Sequence, residues 1–429
     1  MTRKKALFWW LLLSSMVVFY ISLAVGLVVR FHEWDGSRFF EHAAIFSPLF
    51  LLWALVFFVF GLYEVRVFRR YVQILGSLFS ALIACGLLSV IYFYTQPNLS
   101  FTPRRVLLFV LVAAHVLFVL LYLAVKRGIK NRLLEYVYML KQNNFSQSLK
   151  SVIEEQDFLG YRFAGYLDVP EPRITHRDST VVFPDNAHDD SISKLYQLRN
   201  FGVKFVDEAN FYEQVLRRVN LLSLHQLWFL ENVSYKNSAA YDAIKRFVDV
   251  ILGMVGLLFF AITFPLIALV IVIDSRGPVF FVQPRVGLNG KVYNVYKYRT
   301  MTVGKGDTWT AQGDNRITRV GRFLRRTRID ELPQMINLAA GNMSLVGPRP
   351  EQVHIVEQLK QQIPFYDERH LVKPGVTGWA QINDTYAASL EETKDKLEYD
   401  LYYVKHRSLL FDLEIILKTI YYILWPRGR

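Results

Sequence analysis

Cysteine is almost absent: the 429-residue chain has one, Cys85, inside an apolar run. A single thiol excludes an intramolecular disulfide and any cysteine-rich zinc site. It fits a catalytic part facing a reducing cytosol. No G-x-G-x-x-G occurs between Lys126 and Asp242, so a dinucleotide site there has no sequence support. Acidic residues are outnumbered 37 to 50, which leaves a formal charge of +13 and a pI near 9.5. Nucleic acid, anionic lipid headgroups or phosphorylated substrates would each suit that excess. No recognisable module would seat the chain in a nucleic-acid groove, which leaves the last two.

What is abundant is apolar. Hydrophobic residues make up 52% of the chain and mean hydropathy is +0.21, the composition of a membrane protein with polar parts. Four apolar stretches, about Leu7–Val29, Ala43–Tyr63, Val72–Tyr94 and Val106–Val125, approach the ~20 residues a bilayer core demands. The first is too long for a signal-peptide core and has no convincing cleavage site, so it reads as retained. Arg3, Lys4 and Lys5 precede it; Arg66, Arg69 and Arg70 follow the second; Lys126, Arg127, Lys130 and Arg132 follow the fourth. Arg104 and Arg105 are a minor exception, and the positive-inside rule puts both ends of this 1–125 bundle in the cytoplasm.

Residues 126–240 are more polar, with β-like runs at Phe163–Val169, Val181–Phe183 and Val203–Val206 between helix-like segments. That pattern reads as a small, degenerate Rossmann-like α/β domain. His188 beside Asp189 and Asp190 reads as a solvated loop rather than a metal site. A fifth apolar stretch, about Val250 to Ile273, has two readings. It is long enough to span, yet Lys245 and Arg246 precede it while Arg276, Arg285, Lys291, Lys297 and Arg299 follow. Basic residues on both sides favour two cytoplasmic ends. Pro265 in its middle favours a bend, hence a re-entrant helix-break-helix over about 247–274. Ser408 to Trp425 reads as an amphipathic helix, lying on the membrane or on the catalytic domain.

Between Asp314 and Pro350 the chemistry gathers. DNRITRVGRFLRRTRIDELPQ carries Arg316, Arg319, Arg322, Arg325, Arg326 and Arg328. If Ile317–Thr327 is helical, Arg319, Arg322 and Arg326 share a face, either a solvated or lipid-facing surface or a phosphate-binding one. Asp330 and Glu331 follow, then Pro333, a pattern that could be local helix capping. Arg349 stands on a stiff turn between Pro348 and Pro350 in MSLVGPRPE. A second glycine-proline turn with Lys373 lies in VKPGVTGWAQIN. A carboxylate attacks phosphorus only once both partners' charges are neutralised, as arginines and a divalent cation can do. Asp330 and Glu331 could then divide the roles of nucleophile and magnesium ligand.

In order, KRFVDV, the Pro265 stretch, DSRGPVFFVQPRVG, KYRTM, ITRVGRFLRRTRIDELPQ, MSLVGPRPE and VKPGVTGWAQIN resemble the bacterial sugar transferase family, the monotopic phosphoglycosyl transferases. The resemblance covers Tyr241 to about Tyr403; the upstream spans and α/β domain resemble the long polyprenyl-phosphate hexose-1-phosphate transferase branch. It implies a four-span membrane helical bundle (1–125), a degenerate Rossmann-like domain (126–240) and a mainly α, membrane-embedded catalytic domain with a re-entrant hairpin (241–429). It also implies transfer of a sugar 1-phosphate from a UDP-sugar to polyprenyl phosphate at the cytoplasmic face of the bacterial inner membrane, releasing UMP. Asp330 would form a phosphosugar intermediate, Glu331 with Asp330 would hold Mg2+, and Arg325 and Arg349 would contact phosphate. Lys297 and Arg299 would support the same site, Pro265 would break the re-entrant helix, and long members imply a homodimer.

Three departures qualify the likeness. Asn342 stands where the family commonly has aspartate, and Phe264 where some members place serine before the hairpin proline. The α/β domain also lacks the glycine fingerprint, which implies a structural or regulatory role. Two other readings compete. A glycosyltransferase would release UDP, but no Asp-x-Asp pair occurs. A membrane scaffold leaves the carboxylate pair and the G-P-R-P turn without a purpose.

Overall fold

The computed structural model describes residues 3–63, 68, 71–95, 103–129, 135–140, 143–155, 161–167, 179–184, 196, 203–232, 239–302, 316–383 and 389–424. Arg66, Arg69, Arg70, Lys130, Arg132, His188, Asp189, Asp190, Asp314 and Trp425 lie outside the described residues. The chain divides into two compact units, Met1–Phe211 and Tyr212–Arg429.

In the first unit the four apolar stretches are helices: α1 (Arg3–Phe31), α2 (Gly36–Val59), α3 (Tyr71–Tyr94) and α4 (Pro103–Ile129). A helix satisfies its backbone internally, which is what a segment without water requires. Asp35 caps α2 by accepting from Ser37 N at 2.9 Å. Phe19, Phe50, Phe57 and Phe118 pack as rings at the centre of the bundle. Gly26 admits α4 closely, since a Cβ there would stand 2.9 Å from Val110 Cγ2. Leu13, Phe79 and Leu120 face outward and exposed.

A parallel sheet follows, β1 (Glu135–Met139), β2 (Tyr161–Tyr166), β3 (Thr180–Phe183) and β4 (Lys204–Asp207), in the order β2-β1-β3-β4. Helix α5 (Asn144–Glu155) connects β1 to β2, as a parallel pairing requires. Reversal of direction about β1 is the arrangement of doubly wound sheets. The three runs read from sequence are β2, β3 and β4; the central strand β1 is an addition. Its EYVYM carries a glutamate and tyrosines where the parallel-strand pattern of branched aliphatics would be sought.

The second unit takes in most of α6 (Glu208–Leu216), α7 (Gln226–Asn232) and α8 (Ala239–Asp274). By its hydrogen bonds α8 is one helix with Pro265 inside it, not two helices separated by a loop. Residues 246, 249, 253, 256, 260, 264, 267, 271 and 274, spaced by three and four, form one face, which is laid along the rest of the unit. Arg246 donates to the carbonyls of Leu338 and Ala339, and Asp249 accepts from Leu345 N at 2.8 Å. Gly253 and Gly256 pass close over Ala339 and Met335, where an added Cβ would stand 3.1 Å from Ala339 N and 2.6 Å from the Met335 side chain. Phe260, Phe264, Ile267 and Ile271 pack with Phe280, Tyr298 and Leu324, and Asp274 accepts from Val320 N. The opposite face, with Leu258, Ile262, Leu266 and Ile273, is exposed. Among the described residues, α8 and the first four helices are long and apolar enough to cross a membrane.

After α8 come an antiparallel hairpin, β5 (Phe280–Val286) with β6 (Val292–Tyr298), and α9 (Arg319–Thr327). A 3-10 turn (Ile329–Gln334) leads into α10 (Met335–Ala340). Then follow β7 (Ser344–Val346), α11 (Val353–Gln362), β8 (Gly375–Thr377), α12 (Trp379–Asn383), α13 (Leu390–His406) and α14 (Leu409–Leu424). Helix α14 packs on this unit. Asp412 accepts from Tyr241, Lys245 and Tyr403, while Phe411 and Ile415 are buried.

Candidate active site

The site begins where α9 stops. Thr318 caps α9 by accepting from Gly321 N at 2.9 Å, so the helix starts later than Ile317. Arg319, Arg322 and Arg326 are exposed on it. At Arg328 the backbone turns left-handed (φ 60°, ψ 12°), a conformation uncommon for a side chain without a short polar group. This reversal starts the 3-10 turn, whose first turn carries Asp330 and Glu331. Asp330 is therefore not a helix cap.

Glu331 is the hub. Its Oε1 accepts from Lys297 Nζ at 3.0 Å, reaching across from β6, and from Arg349 at 3.3 Å. Burial opposes ionisation, but the adjacent Arg349 and Lys297 outweigh it and bring Glu331 down to about 2. Asp330 is pushed the other way, by burial first and by the Glu331 charge second. Lys297, Arg328 and Arg325 only partly offset that rise. One oxygen of Asp330, Oδ1, is buried with no hydrogen-bond partner among the described residues. Buried polar atoms are rarely left so, and they mark strain, catalysis or a missing ligand.

Arg349 is presented by interlocked turns. Chain segments β7 and β8 pair in parallel, and Gly347 N donates to Thr377 O. Gly347 and Gly375 lie backbone against backbone, where any Cβ would overlap the facing chain. The two glycine-proline turns read separately in the sequence thus form one platform. It borders a cleft lined by Arg285, Val295, Lys297, Gln334, Arg349, Pro350 and Gly375. Arg325 is held by its Nε, which donates to Thr300 Oγ1 at 2.8 Å.

Among the residues singled out from sequence, Asp330, Glu331, Lys297 and Arg349 come together. Arg325 stands close enough for its charge to favour ionised Asp330. Arg299 takes a different place: it is buried and donates to the carbonyls of Ser275 and Arg276 at the end of α8. It holds the end of the helix, not the carboxylates. Pro265 lies within α8, one residue after Phe264, whose ring stacks on Phe280 at 5.5 Å. Asn342 is exposed on the turn after α10, with no side-chain hydrogen bond among the described residues. Missed from sequence were Arg285, Glu351, Arg369 and Asp400. Only the identity of Glu351, next to the G-P-R-P turn, gave a local signal for any of them.

For a divalent cation the donor set is short. Among the described residues no cluster of three or more His, Cys, Asp or Glu could hold a metal ion. Magnesium, however, binds through one or two carboxylates together with substrate phosphates and water. The adjacent carboxylates and the orphaned Asp330 Oδ1 fit that mode.

A carboxylate pair framed by arginines and a lysine, on a domain carried by a long apolar helix, defines a class of membrane-associated protein. A family model described as bacterial sugar transferase matches residues 240–426. The chain is 44% identical over 194 residues to the UDP-N-acetylgalactosamine-undecaprenyl-phosphate N-acetylgalactosaminephosphotransferase of Aeromonas hydrophila, covering 44% of this chain and 46% of that one. It is 45% identical over 183 residues to the UDP-glucose:undecaprenyl-phosphate glucose-1-phosphate transferase of Escherichia coli (strain K12), covering 42% and 39%. It is also 39% identical over 189 residues to the exopolysaccharide production protein PSS of Rhizobium leguminosarum bv. phaseoli, covering 41% of this chain and 93% of that protein. This chain belongs to the bacterial sugar transferase family. Its matches span less than half the length of the first two relatives.

Proposed function

We propose that the protein transfers a sugar 1-phosphate from a UDP-sugar to undecaprenyl or a similar polyprenyl phosphate. This would be the initiating step in assembly of an exopolysaccharide, capsule or O-antigen type glycan. The observation that carries the reading is the buried Oδ1 of Asp330, without a hydrogen-bond partner among the described residues, beside a carboxylate held ionised by Lys297 and Arg349. In the first step Asp330 attacks the sugar-bearing phosphorus. A bond forms from its carboxylate oxygen to phosphorus, and the bond from phosphorus to the bridging oxygen of the diphosphate breaks, so UMP departs with that electron pair. In the second, an oxygen of the lipid phosphate attacks the same phosphorus and the aspartyl–phosphorus bond breaks. Asp330 is regenerated and the sugar is left on a lipid diphosphate. Arg349 and Arg325 neutralise phosphate oxygens, with geometry that a guanidinium fork suits. Lys297 keeps Glu331 ionised and oriented. Glu331 and Asp330 would hold Mg2+, which when bound supplies further charge neutralisation on the diphosphate.

The lipid substrate sits in the headgroup plane and the donor in the cytosol, so the site belongs at their boundary. The face of α8 that meets its own unit from Arg246 to Asp274 supports a helix with both ends on one side of the membrane, dipping into one leaflet with its bend falling at Pro265. A perpendicular crossing would separate its two ends by the bilayer. This reading places the catalytic unit at the cytoplasmic face of the inner membrane. A homodimer is part of the same proposal.

The test is nucleotide release from purified protein supplied with Mg2+, polyprenyl phosphate and a panel of UDP-sugars, beside Asp330→Asn. Prompt UMP with one sugar, lost in the variant and on chelation by EDTA, is the expected outcome. UDP in place of UMP would mean glycosyl transfer and would remove Asp330 as nucleophile.

A further inference from the structure

Four consecutive carbonyls of the turn that presents Arg349 are all engaged. Pro348 O accepts from Gly375 N at 2.9 Å, and Glu351 O from Val286 N at 3.0 Å. Between them, Arg349 O accepts from the guanidinium of Arg369 at 2.9 Å and Pro350 O from that of Arg285 at 3.1 Å. Each guanidinium has its own anchor. Arg369, 1% exposed, donates twice to Asp400 Oδ2, at 2.7 and 3.1 Å, and once to Tyr366 Oη. Arg285 lies 3.7 Å from Glu351, whose other partner is Lys396, and also donates to Gln283. The Arg349 side chain, by contrast, has one protein partner among the described residues, Glu331. The backbone is fixed by one buried and one half-buried cation while the side chain stays available.

We propose that Arg369, held by Asp400, and Arg285, held by Glu351, are positioning residues that clamp the Arg349 turn so that its guanidinium meets the transferred phosphate in one orientation. They act through Arg349: Arg369 is buried and does not line the cleft, and Arg285, which does, has its guanidinium committed to Pro350 O and Gln283. The inference rests on the phosphosugar-transfer reading. Its physical basis is that a fixed donor has no reorganisation to undergo during reaction, and that misplacement by about 1 Å costs on the order of 100-fold. A clamp of carbonyls also keeps their negative ends off the incoming phosphate.

Steady-state UMP release is measured for wild type, Arg369→Lys, Arg349→Lys and the double variant, with folding followed by circular dichroism and thermal unfolding. Arg369→Lys is expected to lose about 10- to 100-fold in kcat with a smaller change in KM for the donor. In the Arg349→Lys background the same change is expected to cost no more than about 3-fold, because its effect passes through Arg349. Equal losses in both backgrounds, or none in either, overturn the clamp. If Arg349→Lys releases no nucleotide, the same four-way comparison is made on donor affinity by equilibrium binding. Should Arg369→Lys fail to fold, Arg285→Lys takes its place in the cycle. A wild type that releases no UMP from any donor defeats the underlying reading instead, so the two failures are distinct.

Discussion

At the scale of single residues, two neighbouring carboxylates are driven in opposite directions. Glu331, depressed to about 2, contributes stability that is present above the ordinary carboxylate range and is lost as pH falls toward that value. Glu331→Gln should therefore cost about 1–3 kcal/mol at neutral pH, by leaving Lys297 and Arg349 without their anion. The gap from wild type should narrow as pH falls from about 4 to about 2, read as thermal midpoints across pH. Asp330 has the opposite sign: burial and the Glu331 charge raise it, so its ionised form is a cost to the fold. Asp330→Asn should leave the thermal midpoint unchanged or higher while abolishing UMP release. A fall in midpoint would mean that Asp330 is structural. Both residues are legible in the sequence because adjacent acids behind a run of arginines have no ordinary core purpose. Their opposite titration is not, since Lys297 lies 34 residues from Glu331 in the chain and only the fold brings the two to 3.0 Å.

Elements show why the site is held where it is. The start of α9 docks on Thr300, whose carbonyl accepts from Thr318 N and whose hydroxyl accepts from Arg325. Gly321 is the point of closest approach, and a Cβ there would overlap the Thr300 carbonyl. Gly321→Ala should cost about 1–3 kcal/mol in thermal unfolding, by the ordinary penalty for overpacking, and should lower UMP release through Arg325. Unchanged unfolding and turnover would mean that α9 moves away freely and that the Thr300 contact sets nothing. Turn chemistry was legible here in part. The glycines and prolines of G-P-R-P and K-P-G-V-T-G announce tight turns, and the backbone contact between Gly347 and Gly375 explains why a side chain is excluded. That the turns face each other is a matter of β7 pairing with β8, about which spacing is silent. Arg299 illustrates the same limit. Two residues after Lys297 and just past the end of β6, it would share that face by period, yet its side chain reaches the carbonyls at the end of α8 instead.

For the molecule as a whole, the decisive question is which side of the membrane each end of α8 occupies. Length and hydropathy admit a crossing. Packing argues otherwise, because one face meets its own unit at Arg246, Gly253, Phe264 and Asp274 in succession, leaving no stretch of helix surrounded by lipid alone. Pro265 gives up one internal hydrogen bond in the carboxyl-terminal half of α8, where a bend toward the headgroups would let water or neighbours replace it. Cysteine scarcity makes the question tractable. The single native thiol, Cys85, is buried in the bundle and can be replaced by serine. Single cysteines at Asp242, before most of α8, and at Lys291, on the turn between β5 and β6, then report the two ends separately. A membrane-impermeant maleimide applied to inverted vesicles should label both, and applied to intact spheroplasts should label neither. Labelling of one position from each side would make α8 a crossing helix. If Asp242 is the position labelled in inverted vesicles, Asp330 would then lie on the opposite face, and cytosolic UDP-sugar could not be its donor.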